Sequence, residues 1–273
     1  MPAARRPLSP PPPRAPRLPP LRLAPIRSAE SVQLDNLTTT AGRRMPPFVR
    51  WDRFLEQFTW SQGQHVTIIG PTGSGKTVLA RLLLRRRDYV VVLGVKNRDP
   101  ELYGPFQQDG YQLRHSFEPE PPAEVEQARI LYVPRTDKHG TEGRAIKARK
   151  FRGVLNDIFD VGYWATYADD IEYMVDALRL GPEFEELWML GRSEGVSVIA
   201  SSQEPVNIPV MAYGMATHLF LFSNEDLVRA KRMAELTGMD REIAQATIMS
   251  LPPHEFLYLN RQTRQMVRSR VIR

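Results

Sequence analysis

The 273-residue chain contains no cysteine. Disulfides, cysteine-bound zinc, iron–sulfur clusters and thiol catalysis are therefore excluded. Histidine is scarce too: there are five, none at ligand spacing, which leaves little for a histidine metal site. Long apolar runs are missing, and stretches such as Tyr89–Val95 fall far short of the ~20 residues a membrane span needs. Acid is missing from one place. Residues 1–27 carry six arginines (Arg5, Arg6, Arg14, Arg17, Arg22, Arg27) and no aspartate or glutamate. The formal net charge of +6 is thus a property of that stretch, and the rest of the chain is formally neutral. Any case for a nucleic-acid partner must rest on where charges sit in the body.

What is present is ordinary for a globular protein: 42% apolar and 25% charged residues, enough to bury a sizeable core. The arginine-rich stretch also holds ten of the 24 prolines. It can neither form a hydrogen-bonded helix nor bury a core, which predicts a disordered or polyproline-like tail. It reads as a solvated tail or a non-specific phosphate-binding arm. No apolar segment follows Arg5–Arg6, so it is not a secretory signal, and its prolines forbid an amphipathic transit helix. Met45, an alternative start, lies just before the first folded-looking stretch. The domain boundaries that follow are a Pro/Arg-rich tail over 1–44 and one domain over 45–273, with a loop-rich insertion at 97–127.

Within the domain, strand and helix patterns alternate. Apolar positions at helical spacing predict helices over Phe48–Trp60, Val78–Arg87, Arg144–Asp160, Glu183–Gly191, Asn224–Thr237 and Arg241–Met249. Asp226 and Asp240 stand near the last two helix starts. Short apolar runs predict strands over His65–Ile69, Tyr89–Val95, Arg129–Val133, Gly162–Ala168, Val196–Ser201 and His218–Phe222, with a terminal hairpin over Glu255–Asn260 and Gln265–Val271. This is the pattern of an α/β fold with a mostly parallel central sheet flanked by helices.

The strongest chemical signal is Gly70-Pro71-Thr72-Gly73-Ser74-Gly75-Lys76-Thr77, which fits G-x-x-x-x-G-K-[ST] between a predicted strand and a predicted helix. Glycines let successive backbone N–H groups converge on phosphate oxygens, and the helix start adds partial positive charge. Lys76 can reach the β- and γ-phosphates, and the Thr77 hydroxyl can ligate magnesium. These eight residues are the candidate nucleotide-binding set.

Tyr167-Ala168-Asp169-Asp170 ends the predicted strand over Gly162–Ala168. At a strand tip Asp169 can hold the magnesium. Asp170 stands where many ATPases carry a glutamate that polarises the attacking water. Glu172 competes for that role, but it lies on the opposite register if the strand continues. A distance of 93 residues separates Lys76 from Asp169, room for an extra strand and helix between the two motifs, as in the additional-strand branch of P-loop ATPases.

A third element is Gly191-Arg192-Ser193-Glu194-Gly195-Val196-Ser197-Val198-Ile199-Ala200-Ser201-Ser202-Gln203. Gln203 follows a strand, where α/β sheets bind ligands, and can orient a water or sense a γ-phosphate. Arg192 is either a helix C-terminal charge or an arginine finger toward a neighbouring subunit.

Taken together, HVTIIGPTGSGKT, YADD and GRSEGVSVIASSQEPVNIP resemble the FtsK–HerA superfamily of P-loop ATPases over roughly 51–261. ATHLFLFSNEDLVRAKRMAEL and LPPHEFLYLNR are similar in layout. The resemblance implies a RecA-like domain of the additional-strand branch that binds ATP and magnesium. Lys76 and Thr77 would be phosphate and magnesium ligands, Asp169 the metal-side acid, Gln203 the sensor and Arg192 the trans finger. Asp170 departs from the family's usual glutamate, which puts the hydrolysis rate in question but not nucleotide binding.

The resemblance further implies a homo-oligomeric ring, usually a hexamer, that moves double-stranded DNA through non-specific phosphate contacts. The chain's small size and lack of a membrane anchor fit viral or phage genome packaging, with a capsid or portal partner and a place in the host cytoplasm or the virion. A conjugative or mobile-element translocase with a relaxase-type partner is the alternative, and a slow ATP-binding switch or assembly factor another. Three basic clusters are candidates for DNA contact: Arg81/Arg85/Arg86/Arg87, Arg144/Lys147/Arg149/Lys150/Arg152 and Arg261/Arg264/Arg268/Arg270/Arg273. The first reads as a solvated face and the second, preceded by Lys138 and His139, as the preferred pore segment.

Overall fold

The computed structural model of the chain describes residues 44–122 and 124–272. Apart from Arg44, the tail read over 1–44 lies outside the described residues, as does Arg273. The elements run α1 (Trp51–Gln57), β1 (His65–Ile69), α2 (Lys76–Leu84), β2 (Tyr89–Leu93), α3 (Pro100–Gln108), β3 (Gln112–Arg114), β4 (Ala128–Tyr132), α4 (Gly140–Val161) and β5 (Ala165–Ala168). There follow a π-helical turn (Tyr173–Ala177), α5 (Gly181–Leu190), β6 (Ser197–Ser202), α6 (Val210–Gly214), β7 (Ala216–Phe222), α7 (Leu227–Leu236), α8 (Arg241–Ser250), β8 (Glu255–Asn260) and β9 (Gln265–Arg270).

The strands form one sheet in the order β3-β4-β2-β5-β6-β1-β7-β8-β9. Pairing is parallel from β3 through β7; β7–β8 and β8–β9 are antiparallel. The terminal hairpin read from the sequence therefore extends the sheet past β7. The apolar runs are buried on both faces, as parallel strands between helical layers must be. Val90 and Val92 face a core built by α1–α3 with Trp51, Phe54, Leu79 and Phe106. Their neighbours Val91 and Leu93 face the opposite core, with Phe151, Phe184, Trp188 and Met233 from α4, α5 and α7.

The 93 residues between the two motifs hold β2, α3, β3, β4 and α4, the room expected for an extra strand and helix, and in the sheet β6 stands between the two motif strands β1 and β5. Within 97–127 the structure has α3, capped by the Asp99 side chain on the Leu102 amide, and the edge strand β3. The helix expected over Phe48–Trp60 shortens to Trp51–Gln57, because Phe48 and Val49 pair instead with Arg268 of β9. The strand expected from Gly162 starts at Ala165, since Gly162 and Tyr163 both take positive φ. Asp226 and Asp240 cap α7 and α8, accepting from the amides of Arg229 and Ile243.

The first basic cluster is no solvated face. Arg81 and Arg85 both pair with Asp109 at the end of α3, at 2.9 and 2.8 Å. Arg86 donates to the carbonyls of Phe58 and Leu55, and Arg87 lies over the Trp60 ring at 3.9 Å while donating to Ser61 and Gln62. These guanidinium groups tie α2 to α1 and α3. In the third cluster Arg268 is buried and donates to the Pro46 carbonyl, and Arg261 donates to those of Tyr213 and Gly214.

Candidate nucleotide-binding site

Register aligns the C-terminal tips of the central strands. Leu93 lies beside Ala168, Ala168 beside Ala200, and Ala200 beside Thr67. The segments after β1, β5 and β6 therefore emerge at one edge of the sheet, and they carry all three sequence motifs.

The loop after β1 needs glycine for two different reasons. Gly73 and Gly75 take φ of 78° and 111°, where a side chain is strained. Gly70 has no such constraint. A Cβ there would lie 2.6 Å from Phe222 Cβ and 2.9 Å from Ser74 Oγ, so the loop can leave β1 only without a side chain. Helix α2 starts at Lys76, and the amides of its first turn have no intrahelical acceptors. The Ser74 hydroxyl is buried and finds no partner among the described residues. Orphaned donors beside a helix start are what a phosphate group satisfies.

Lys76 is buried, and its Nζ donates to the carbonyls of Gly70 (2.8 Å) and Pro71 (3.0 Å). Burial lowers its pKa, opposed by the nearby carboxylates of Asp169, Glu172 and Asp170 in that order. The Thr77 hydroxyl donates to Asp169 Oδ1 at 3.1 Å across the gap between the tips of β1 and β5. Thr72 Oγ1 lies 2.8 Å from Gln203 Oε1, joining the loop to the tip of β6. Among the described residues no group of three or more metal-ligating side chains occurs. The Thr77–Asp169 pair still fits magnesium, which binds through one or two protein oxygens and takes its other ligands from water and phosphate.

Asp170 does something else. Its carboxylate accepts the Tyr173 amide at 3.1 Å and its carbonyl accepts that of Met174, so it caps the turn that begins at Ile171. Arg192 is exposed at the opposite edge of the sheet, in the turn before β6, where its carbonyl lies 2.9 Å from the Cβ position of Gly63. It is not brought to this chain's own loop.

Two participants escape the sequence reading, and a third, Glu172, was set aside there on strand register. Tyr167, wholly buried on β5, donates its hydroxyl to Asp169 Oδ1; burial and that carboxylate together hold its pKa well above the usual tyrosine value. The Glu172 carboxylate accepts from the Ser202 hydroxyl at the tip of β6. Burial raises its pKa, the Ser202 bond lowers it and Asp170 raises it. His254, at φ 66°, sets Nδ1 3.2 Å from the Ser74 carbonyl. Tyr167 had a signal in the sequence, two residues before Asp169 on the same strand, and Glu172 had been weighed for the role of Asp170; His254 had none.

No protein-family model matches the chain, and no curated protein matches it. Solved structures do. The genome packaging NTPase B204 from Sulfolobus turreted icosahedral virus 2, in complex with ATP-gammaS, is 14% identical over 78% of this chain and 100% of that one, with a TM-score of 0.55. The DNA-packaging ATPase B204 from Sulfolobus Turreted Icosahedral Virus is 14% identical over 78% and 100%, TM-score 0.54. VirB4 of Thermoanaerobacter pseudethanolicus is 10% identical over 77% and 89%, TM-score 0.56. At such identities the likeness is one of backbone architecture: this chain shares the P-loop NTPase fold of these structures.

Proposed function

We propose that the chain binds ATP with magnesium at the loop after β1, hydrolyses it, and couples hydrolysis to movement of double-stranded DNA as a ring of identical copies. Genome packaging is the favoured process, since B204 matches over its whole length. The observation that carries the reading is the joining of three strand tips at one edge, through Thr77 to Asp169 and Thr72 to Gln203.

Magnesium, when bound, neutralises charge developing on the phosphates. Thr77 and Asp169 are the residues to hold it. Lys76 exchanges its carbonyl partners for phosphate oxygens, which offset the burial of its charge better than neutral acceptors do. Gln203, reaching the loop through Thr72, senses whether a γ-phosphate is there. Arg192, on the far edge, can reach only the nucleotide of another copy. Val206, Val210, Leu227 and Val228 are large apolar side chains exposed after β6 and β7, beside the nucleotide edge. Such a patch supports a contact between copies.

For DNA, the favoured surface is the first half of α4. The helix begins after the tip of β4, so its N-terminal half lies at the nucleotide edge. Arg144, Arg149 and Lys150 are exposed there, Arg144 donating to the Thr141 hydroxyl and Lys150 to the Arg135 carbonyl, while the less exposed Lys147 donates to the Val95 carbonyl and Arg152 pairs with Glu183. An exposed basic face of this kind suits non-specific contact with backbone phosphates.

The test is steady-state ATP turnover with and without double-stranded DNA at low salt, on a sample of known oligomeric state. Stimulation is expected, and Arg144→Glu with Arg149→Glu should remove it while leaving basal turnover intact. Turnover indifferent to DNA in an oligomeric sample refutes the translocase and leaves the ATP-binding switch.

A further inference from the structure

We propose that Glu172, rather than Asp170, is the carboxylate that activates the attacking water. The inference rests on the ATPase reading of the same site and deepens it. Asp170 is turned to the backbone: it caps the turn from Ile171 by accepting the Tyr173 amide. The alternation that would send Glu172 to the wrong side of the strand ends at Ala168, where β5 stops and the chain winds into a helical turn.

In that turn Glu172 reaches sideways to β6, and the Ser202 hydroxyl holds its carboxylate. Ser202 immediately precedes Gln203, the residue that touches Thr72 of the phosphate loop. Glu172 thus stands beside the strand that carries the sensor, on the side of Lys76. Its charge acts on the Lys76 ammonium more strongly than that of Asp170 does, second only to Asp169. A glutamate also has one more methylene than an aspartate, with which to extend from a helical turn into a cleft. The π-helical turn at Tyr173–Ala177 follows directly, a distortion often found at functional sites.

The step balances without a co-reactant. The water oxygen forms a bond to the γ-phosphorus as the bond from that phosphorus to the bridging oxygen breaks, its electron pair leaving on ADP. The water proton passes to Glu172 and from there to solvent. Ser202 is a positioning residue, holding the carboxylate until the water is seated.

The experiment compares Glu172→Gln and Asp170→Asn in the full chain, reading turnover, ATP affinity and the nucleotide recovered from the protein after rapid desalting. Glu172→Gln is expected to lower kcat by about 10²–10³-fold, a range typical of losing general-base assistance. It should bind ATP within about threefold of wild type and come off the column carrying ATP where wild type carries ADP. Asp170→Asn should keep kcat within about fivefold, because asparagine caps a helix as well as aspartate. Ser202→Ala should lower kcat about tenfold at unchanged ATP affinity, with Ser202→Thr restoring it. Loss of turnover in Asp170→Asn, with or without loss in Glu172→Gln, overturns the assignment. A wild-type chain that binds ATP but never hydrolyses it overturns the ATPase reading itself, and this inference with it.

Discussion

Removing one buried hydroxyl, in Tyr167→Phe, tests whether the tip of β5 is built to hold a metal-side acid. Tyr167 OH and Thr77 Oγ1 both donate to the same oxygen of Asp169. A hydrogen bond to an ionised acceptor contributes about 1.5–3 kcal/mol. Asp169 is only half-buried and keeps Thr77, so the lower end applies, about 1.5 kcal/mol. For a domain of this size that corresponds to a fall in Tm of roughly 3–6 °C. The larger effect is on the metal. A carboxylate freed to rotate is a poorer ligand, and losing such a supporting contact costs about 10–100-fold in metal affinity. Turnover measured against magnesium at saturating ATP should therefore need about tenfold more metal for half-maximal rate, with kcat recovered at high magnesium. Thermal melts with and without magnesium–ATP supply the second readout, since the ligand-induced rise in Tm should shrink. An unshifted magnesium curve together with an unchanged melt would refute the claim that Tyr167 orients Asp169.

Two further outcomes follow from buried groups. His65 and His218 are buried and neutral, with folded-state pKa values pushed down to about 4, chiefly by burial. His65 Nδ1 accepts the Val198 amide; His218 accepts from the Tyr258 hydroxyl and donates to Gln64. Between pH 4 and 6.5 the unfolded chain binds protons that these sites refuse, so stability is complete above pH 6.5 and falls with pH below it. From pH 7 to 5 each contributes a loss of about 2 kcal/mol, readable by urea denaturation, and His218→Gln should flatten the slope by about that amount. A slope unchanged in the variant removes His218 as its source. Gly70→Ala should destabilise by about 1–3 kcal/mol through overpacking and abolish ATP binding. Phe222→Ala should not rescue it, because the close contact is with Phe222 Cβ, which alanine retains. Rescue by that second change, in a melt or a binding titration, shows that the ring rather than the Cβ of Phe222 sets the limit.

Much of the architecture was legible because it is local. His65–Ile69 and Glu255–Asn260 match the observed strands residue for residue, and Asp226 and Asp240 cap the helices they were assigned to. Apolar runs, turn residues and caps act over a few positions, and sequence records those directly. The glycine loop with Lys76 and Thr77 belongs to the same class, since strand, loop and helix are contiguous. Two of the boundaries that moved did so through distant partners. Residues 48–49 left their helix to pair with β9, and Tyr163 turned because its amide meets the Glu194 carbonyl.

By itself, then, the sequence determined an α/β chain with a phosphate-binding loop, an acid at one strand tip and a glutamine at another. The tertiary structure decided which of these meet. Sheet order inserted β6 between β1 and β5, although β6 follows both in the chain. That insertion brought Gln203 to Thr72 and Ser202 to Glu172, while Asp170, next to the metal-side acid in sequence, turned away to cap a helix. The fold also left Arg192 at the far edge and turned Arg81, Arg85, Arg86 and Arg87 from a charged run into ties to neighbouring segments. The physical reason is that strand order and side-chain partners depend on burying both faces of one sheet at once. That constraint acts across the whole fold and leaves no mark in any short window of residues.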